Sequence, residues 1–238
     1  MAKSKYNRVL LKLSGQSFCK PGGFGIDGSA LESIAERISE IAKLGPQVAV
    51  VVGAGNFLRG ESFSKVSHIP RNTADYMGML ATIINSCALQ ETLEKSGQPT
   101  RVLSAIEVPA MCEHFIRRRA IRHLERGRIA ILAGGTGNPF FTTDTCAALR
   151  ASELDVDVLI KATKVEGVYS DDPEKNPNAR LFDKLSYDEV LNKKLRIMDH
   201  SAISLCRDNN IPIIVLNLFE KGNITKALCG QAVGTLIC

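Results

Sequence analysis

The chain has no tryptophan, and aromatic residues make up only 5% of its 238 positions. Its interior must therefore be built from aliphatic side chains, and an aromatic pair in a polar loop stands out. Its seven cysteines (Cys19, Cys87, Cys112, Cys146, Cys206, Cys229 and Cys238) are scattered, odd in number and without a CxxC. That argues against a disulfide framework and a zinc site and fits reduced thiols. No apolar run approaches the ~18 residues of a membrane helix. The polar, basic start from Met1 to Arg8 does not read as a signal peptide. The expected location is the cytoplasm, with no membrane partner. Thirty Lys and Arg against 25 Asp and Glu leave a net charge of +5. This suits anionic substrates but is too small to point to nucleic acid. His68, His114, His123 and His200 show no metal-ligand spacing, so no protein metal site is expected. Also missing are the GxxxxGK[ST] of a P-loop, a GxGxxG opening a dinucleotide-binding helix, and a nucleophile elbow with Ser-His-Asp order.

What is present is glycine-rich loops placed directly after strands. The most informative is Gly134 to Thr145. It follows the apolar run Ile129 to Ala133 and precedes Cys146 to Leu154, which has helical spacing. Ligands of open α/β sheets bind at such carboxyl ends of strands. Three glycines allow close backbone approach, four threonine hydroxyls and free N–H groups suit an anion, and Phe140-Phe141 could stack on a flat ring. The plainer alternative is a tight turn with an N-cap at Thr143 or Asp144. A second such loop, Gly53 to Gly60, follows the β-branched strand Gln47 to Val52 and carries Arg59; its alternative is a turn with a solvated arginine.

Two strands carry a lysine. Lys12 interrupts Val9 to Leu13, ahead of Ser14 and Gly15. Lys161 ends the strand Asp157 to Ile160. A lysine within a buried strand is costly unless it meets an anion; otherwise it marks an exposed edge or loop. Beyond Lys161, Tyr169 could stack on or edge a base, and Asp172 could accept from ribose hydroxyls. Lys20 to Gly25 is a flexible loop before a helix capped by Asp27 or Ser29. Glu61 to Pro70 reads as a mobile surface segment. A helix from about Asn72 to Lys95 carries Asp75 in its first turns, where an acid serves the helix dipole or a ligand. Arg117 to Arg119 open a basic helix, either a solvated or subunit-facing surface or an effector-phosphate site. Ser186 to Glu189 has the form of a capping box. Further helices are expected over Asp199 to Asn209 and Gly222 to Leu228, with strands at Arg101 to Ala105, Ile213 to Leu216 and Thr235 to Ile237. Strands alternating with helices predict a mostly parallel sheet covered on both faces, in one domain spanning 1–238. Phosphate-ready regions in each half suggest a donor and an acceptor meeting between them, and phosphoryl transfer asks mainly for positioning and charge neutralisation.

Five stretches then resemble one family. Lys12 to Gly15, Gly53 to Gly60, Asp75 to Met79, Thr136 to Thr143 and Lys161 to Tyr169 are similar, in order and spacing, to bacterial uridylate (UMP) kinases of the amino-acid kinase superfamily. The resemblance implies a three-layer α/β sandwich. It implies an acceptor half to about residue 155, an ATP half over 156–238, and the reaction ATP + UMP → ADP + UDP with Mg²⁺. It places Lys12, Leu13, Ser14, Gly15, Gly55 and Arg59 near the ATP phosphates, and Thr163, Tyr169 and Asp172 on its base and ribose. UMP falls to Ala54, Asp75, Thr136, Gly137, Asn138, Pro139, Phe140, Phe141, Thr142 and Thr143. Lys12, Lys161, Asp144 and Arg59 form the catalytic set, with Asp144 orienting the lysines. Lys20, Pro21, Gly22, Gly23, Phe24 and Gly25 match a segment tied to activation by GTP, with UTP as inhibitor and a homohexamer as the assembly.

Two departures accompany the match. Ala54 replaces the family's middle glycine, which preserves a backbone N–H contact but adds a methyl near UMP. One residue is added between Gly60 and Asp75. Two rival readings are a sibling kinase with another acceptor, which the Phe pair disfavours, and a nucleotide-sensing regulator. A sensor would not need Lys12, Lys161 and Asp144.

Overall fold

The computed structural model describes residues 3–58, 68–173, 175–176, 178–195 and 197–238. The first part of the chain runs β1 (Arg8–Leu13), a short 3-10 turn (Gly15–Phe18), α1 (Gly28–Lys43), β2 (Gln47–Val52), α2 (Arg71–Lys95), β3 (Thr100–Ser104), β4 (Glu113–His114), α3 (Arg117–Glu125), β5 (Ile129–Ala133) and α4 (Thr143–Glu153). It continues with β6 (Val158–Thr163), β7 (Val168–Tyr169), β8 (Leu181–Phe182), β9 (Lys184–Leu185), α5 (Tyr187–Asn192), α6 (His200–Asp208), β10 (Ile213–Asn217), α7 (Asn223–Leu228) and β11 (Thr235–Ile237). The short strands β4, β7, β8 and β9 have no counterpart in the sequence reading, because two-residue strands carry no periodicity.

Nine strands form one sheet in the order β4-β3-β5-β2-β1-β6-β10-β11-β9. Every pairing in it is parallel except β10 with β11. Separately, β7 and β8 make a small antiparallel ribbon. From β1 the chain moves to one side of the sheet through β5, then returns to lay β6 on the other side of β1. Connections leaving the carboxyl ends of β1 and β6 thus diverge. That is the topological switch point of an open α/β sheet, where ligands bind.

Strand alternation decides which helices meet which residues. Val9, Leu11 and Leu13 pack with α1, α2 and α7 on one face. Leu10 and Leu159 pack with α3, α4, α5 and α6 on the other. Lys12 and Lys161, each two residues further along, therefore point to the α4 face. The three-layer α/β architecture expected from the sequence is present, and β1 is central, which removes the edge-strand alternative for Lys12.

Candidate active site

Lys12 and Lys161 are Cα partners across β1 and β6. Asp144, in the first turn of α4, lies between their ammonium groups: Nζ of Lys12 is 2.7 Å from Oδ1, and Nζ of Lys161 donates to Oδ2 at 2.8 Å. The three side chains are only 11%, 13% and 16% exposed for Lys12, Lys161 and Asp144. Burial pushes the Asp144 carboxyl up, but the two lysines together outweigh it and hold it below its ordinary value. Burial draws Lys161 below the usual lysine range and Lys12 adds to this, against the opposing pull of Asp144. Two cations thus share one anion, leaving a net positive charge beneath the mouth of the site. Lys161 also donates to the carbonyl of Ile197.

Thr142, not Thr143 or Asp144, is the N-cap of α4: its hydroxyl accepts from the N–H groups of Asp144 and Thr145 at 3.0 and 3.2 Å. Capping from one residue earlier brings Thr143 to Thr145 into the helix and leaves the Asp144 carboxylate free to serve the lysines. The strand Asp157–Ile160 of the sequence reading likewise extends to Thr163, so Lys161 and Thr163 are strand residues rather than loop residues.

Two cavities adjoin this trio. One, of about 440 Å³, is walled by Lys12, Ser14, Gly15, the Gly53–Gly55 backbone, Asp75 and the loop from Gly135 to Asp144. The other, of about 660 Å³, is walled by Lys161, Thr163, Tyr169 and Asp172. Lys12 and Asp144 thus face one cavity and Lys161 the other.

In the first cavity Ala54, Thr136, Asn138, Phe141, Thr142 and Thr143 stand on the wall, while Gly137, Pro139 and Phe140 lie beside it. Asp75 accepts from the Phe140 N–H at 2.8 Å and from Arg71 Nε at 2.8 Å. Phe140 has φ +71, a left-handed conformation uncommon for a bulky residue, and the Asp75 bond holds it there. Phe140 and Phe141 are 65% and 55% exposed, open to a ring. Of the four threonine hydroxyls read as anion donors, three have partners within the chain. Thr136 donates to the Asn138 carbonyl, Thr142 to Oδ2 of Asp199, and Thr145 to Oδ1 of Asp199 at 2.8 Å. Asp199, which also caps α6 through the N–H of Ala202, is expected from the sequence only as the start of that helix and not as part of the site. In the sequence it is one more acid before a helix, and no spacing ties it to Thr142.

Leu13 is fully buried in the apolar core and lines neither cavity, its backbone carbonyl accepting from Gly53 N at 2.9 Å. Gly15 is required by proximity: a Cβ there would stand 2.2 Å from the Gly55 nitrogen. Arg59 lies outside the described residues, as does most of the Glu61 to Pro70 segment. Lys20 to Gly25 lies off both cavity walls; Lys20 is 3.5 Å from Asp27. On α3, Arg117 pairs with Asp155 and Arg119 lies 3.6 Å from Glu113, so these arginines already have acidic partners on an exposed face. No described helix is long and apolar enough to cross a membrane.

The amino acid kinase family model matches residues 7–217. The chain is 53% identical over 233 residues to the chloroplastic uridylate kinase PUMPKIN of Arabidopsis thaliana, covering 98% of this chain and 69% of that one. Its fold matches the crystal structure of UMP kinase from Bacillus anthracis with a TM-score of 0.94 at 40% identity, covering 98% of this chain and 96% of the other. Against UMP kinase from Ureaplasma parvum the TM-score is 0.90 at 34% identity, with coverage of 100% and 99%. The chain belongs to the uridylate kinases of the amino acid kinase family and is a nucleoside monophosphate kinase, a phosphotransferase.

Proposed function

We propose that the chain transfers the γ-phosphoryl group of ATP to UMP, giving ADP and UDP in pyrimidine nucleotide synthesis. The observation that carries this is the position of the Lys12–Asp144–Lys161 trio between two cavities. UMP occupies the cavity of Asp75, Ala54 and Thr136 to Thr143, and ATP the cavity of Thr163, Tyr169 and Asp172. The transferring phosphoryl sits over the lysines, where Ser14, Gly15 and Gly55, on the adjoining wall of the first cavity, take the donor phosphates. Charge builds on the equatorial oxygens during transfer, and two preorganised ammonium groups in a water-poor site stabilise it. A UMP phosphate oxygen is already a nucleophile, so no carboxylate base is needed. Asp144, held ionised by its neighbours, orients both lysines and leaves them jointly cationic.

Among the described residues no group of three His, Cys, Asp or Glu could hold a metal ion. Both Asp144 oxygens face ammonium groups. This fits Mg²⁺ that arrives on the nucleotide, held by phosphates and water rather than by a protein cage. Bound there, it would neutralise donor charge. We further propose one domain over 1–238 with acceptor and ATP halves, a homohexamer, activation by GTP through Lys20 to Gly25, inhibition by UTP, and a reducing, cytoplasmic setting for the free cysteines.

An ADP-release assay with UMP, CMP and AMP as acceptors, each with and without GTP, tests the reading. UMP should be turned over well ahead of the others. Equal turnover of CMP or AMP would remove the uridylate assignment, and tight UTP binding without turnover of any acceptor would replace catalysis by sensing.

A further inference from the structure

Two asparagines of the core are almost wholly enclosed: Asn85 of α2 is 0% and Asn56 2% exposed. A buried amide is costly unless each of its polar groups is matched. Here they are matched reciprocally. Asn85 Nδ2 donates to Asn56 Oδ1 at 2.8 Å, and Asn56 Nδ2 donates to Asn85 Oδ1 at 2.9 Å. The second proton of each amide goes to a backbone carbonyl: Asn85 to Gly53 at 2.9 Å, Asn56 to Gly25 at 2.8 Å. The Asn56 backbone carbonyl accepts from the Gly25 N–H at 2.9 Å. All four amide protons of the pair are used, and only two amides facing each other can close this ring; an acid, a hydroxyl or an aliphatic chain at either position breaks it.

The bonds join three segments. Gly53 to Gly55 forms a wall of the 440 Å³ cavity and abuts Gly15. The same face of α2 holds two more parts of that cavity, Asp75 through the Phe140 N–H and Thr82 through the Gly134 N–H at 2.8 Å. Gly25 belongs to the Lys20 to Gly25 loop, which lines neither cavity.

We propose that the Asn56–Asn85 amide pair positions the acceptor-side backbone at Gly53 and Ala54 through the Gly53 carbonyl and links the Lys20 to Gly25 loop to it. Asn85 and Asn56 are positioning residues; neither stands on the wall of either cavity. The proposal rests on the reading of that cavity as the UMP site. It has two consequences. Breaking the ring loosens acceptor binding more than donor binding. Filling the acceptor cavity tightens Gly25, which the acceptor does not touch.

The test uses the full chain with Asn85→Asp and Asn85→Leu, and Ser86→Ala as a control. Ser86 is also fully buried on α2, but its hydroxyl bonds only the Thr82 carbonyl. The expected result is a rise of roughly ten-fold in KM for UMP in both Asn85 variants, the size of one or two lost hydrogen bonds. KM for ATP should stay within about two-fold, and Ser86→Ala should lower the melting temperature without moving either KM. An unchanged KM for UMP, or an equal shift in Ser86→Ala, overturns the proposal. Should the Asn85 variants not fold, the wild-type chain still decides: by hydrogen exchange, saturating UMP should slow the Gly25 amide, and no change there overturns the link. If wild-type protein does not phosphorylate UMP, the assignment of the cavity fails. Faster exchange at Gly25 in Asn85→Asp without any nucleotide then still reads the pair by itself.

Discussion

Lys12 and Lys161 are register partners on adjacent parallel strands, side by side rather than facing each other across a cleft. A single carboxylate, Asp144, meets both. Two like charges held together in a buried place repel, and one anion between them lowers that cost without cancelling their joint charge. The lysines are thereby held on one carboxylate, with Lys12 at one cavity and Lys161 at the other.

Asp144→Asn should therefore impair both stability and turnover. Removing one partner of a buried ionic group costs about 3–5 kcal/mol, and losing preorganised charge stabilisation lowers kcat by about 10²–10³-fold. Thermal melts and steady-state rates measure the two effects. Lys12→Ala alone should match that loss in kcat, and the double variant Lys12→Ala, Asp144→Asn should be far from additive, because the groups act as a unit. Near-wild-type turnover of a folded Lys12→Ala would remove the role given to the trio.

The trio also sets a pH dependence at both ends. The Asp144 value in the folded chain lies below its ordinary 3.8. Its contribution to stability is thus complete above that ordinary value and lost as pH falls through the lowered one. Lys161 lies below its ordinary 10.5. Between its lowered value and 10.5 the unfolded chain binds more protons than the folded one, so this group makes stability rise with pH across that window. Turnover needs the ammonium and should fall over the same window. A kcat profile whose alkaline limb begins only at an unperturbed lysine value would contradict the assignment.

Asp75 stands on the wall of the 440 Å³ cavity and holds the Phe140 backbone beside it. Asp75→Asn turns one acceptor oxygen into an amide and weakens the hold of Arg71 and of the left-handed Phe140. The expected outcome is a roughly ten-fold higher KM for UMP, in line with a charge-assisted bond of about 1.5–3 kcal/mol that is only partly lost. KM for ATP and kcat should change little in the same titrations.

Asp199 ties the Gly134 to Thr145 loop to α6 by two threonine hydroxyls and a cap. Asp199→Ala should cost about 1–2 kcal/mol through the lost cap alone. It should also raise KM for UMP, since the Thr142 and Thr145 hydroxyls lose their anchor. Denaturant melts separate the first effect from the second, and a stability loss with no change in KM would reduce Asp199 to a cap.

Much of this site was legible in the sequence because its parts are local. Gly134 to Thr145 and Lys161 lie next to recognisable apolar strands, and α2, β2, β5 and β11 fall within a residue or two of their expected ends. Capping was less legible: Thr142, Thr143 and Asp144 are all competent caps, and the choice among them depended on what else Asp144 meets. Asp199 and the Asn56–Asn85 pair were not legible. Their partners lie 57 and 29 residues away, and nothing in periodicity or turn chemistry marks a bond over such a separation.

The sequence by itself determined the strand–helix alternation, the absence of disulfide, P-loop and membrane-helix solutions, and the placement of glycine loops and lysines at strand ends. These follow from side-chain period, backbone freedom and the cost of burying charge, all properties of short segments. The tertiary structure alone decided that β1 and β6 are neighbours, that the alternation of both strands turns Lys12 and Lys161 to the α4 face, and that Asp144 falls between them. Strand order and helix placement are properties of the whole packed sheet, which sets side by side two lysines 149 positions apart in the chain.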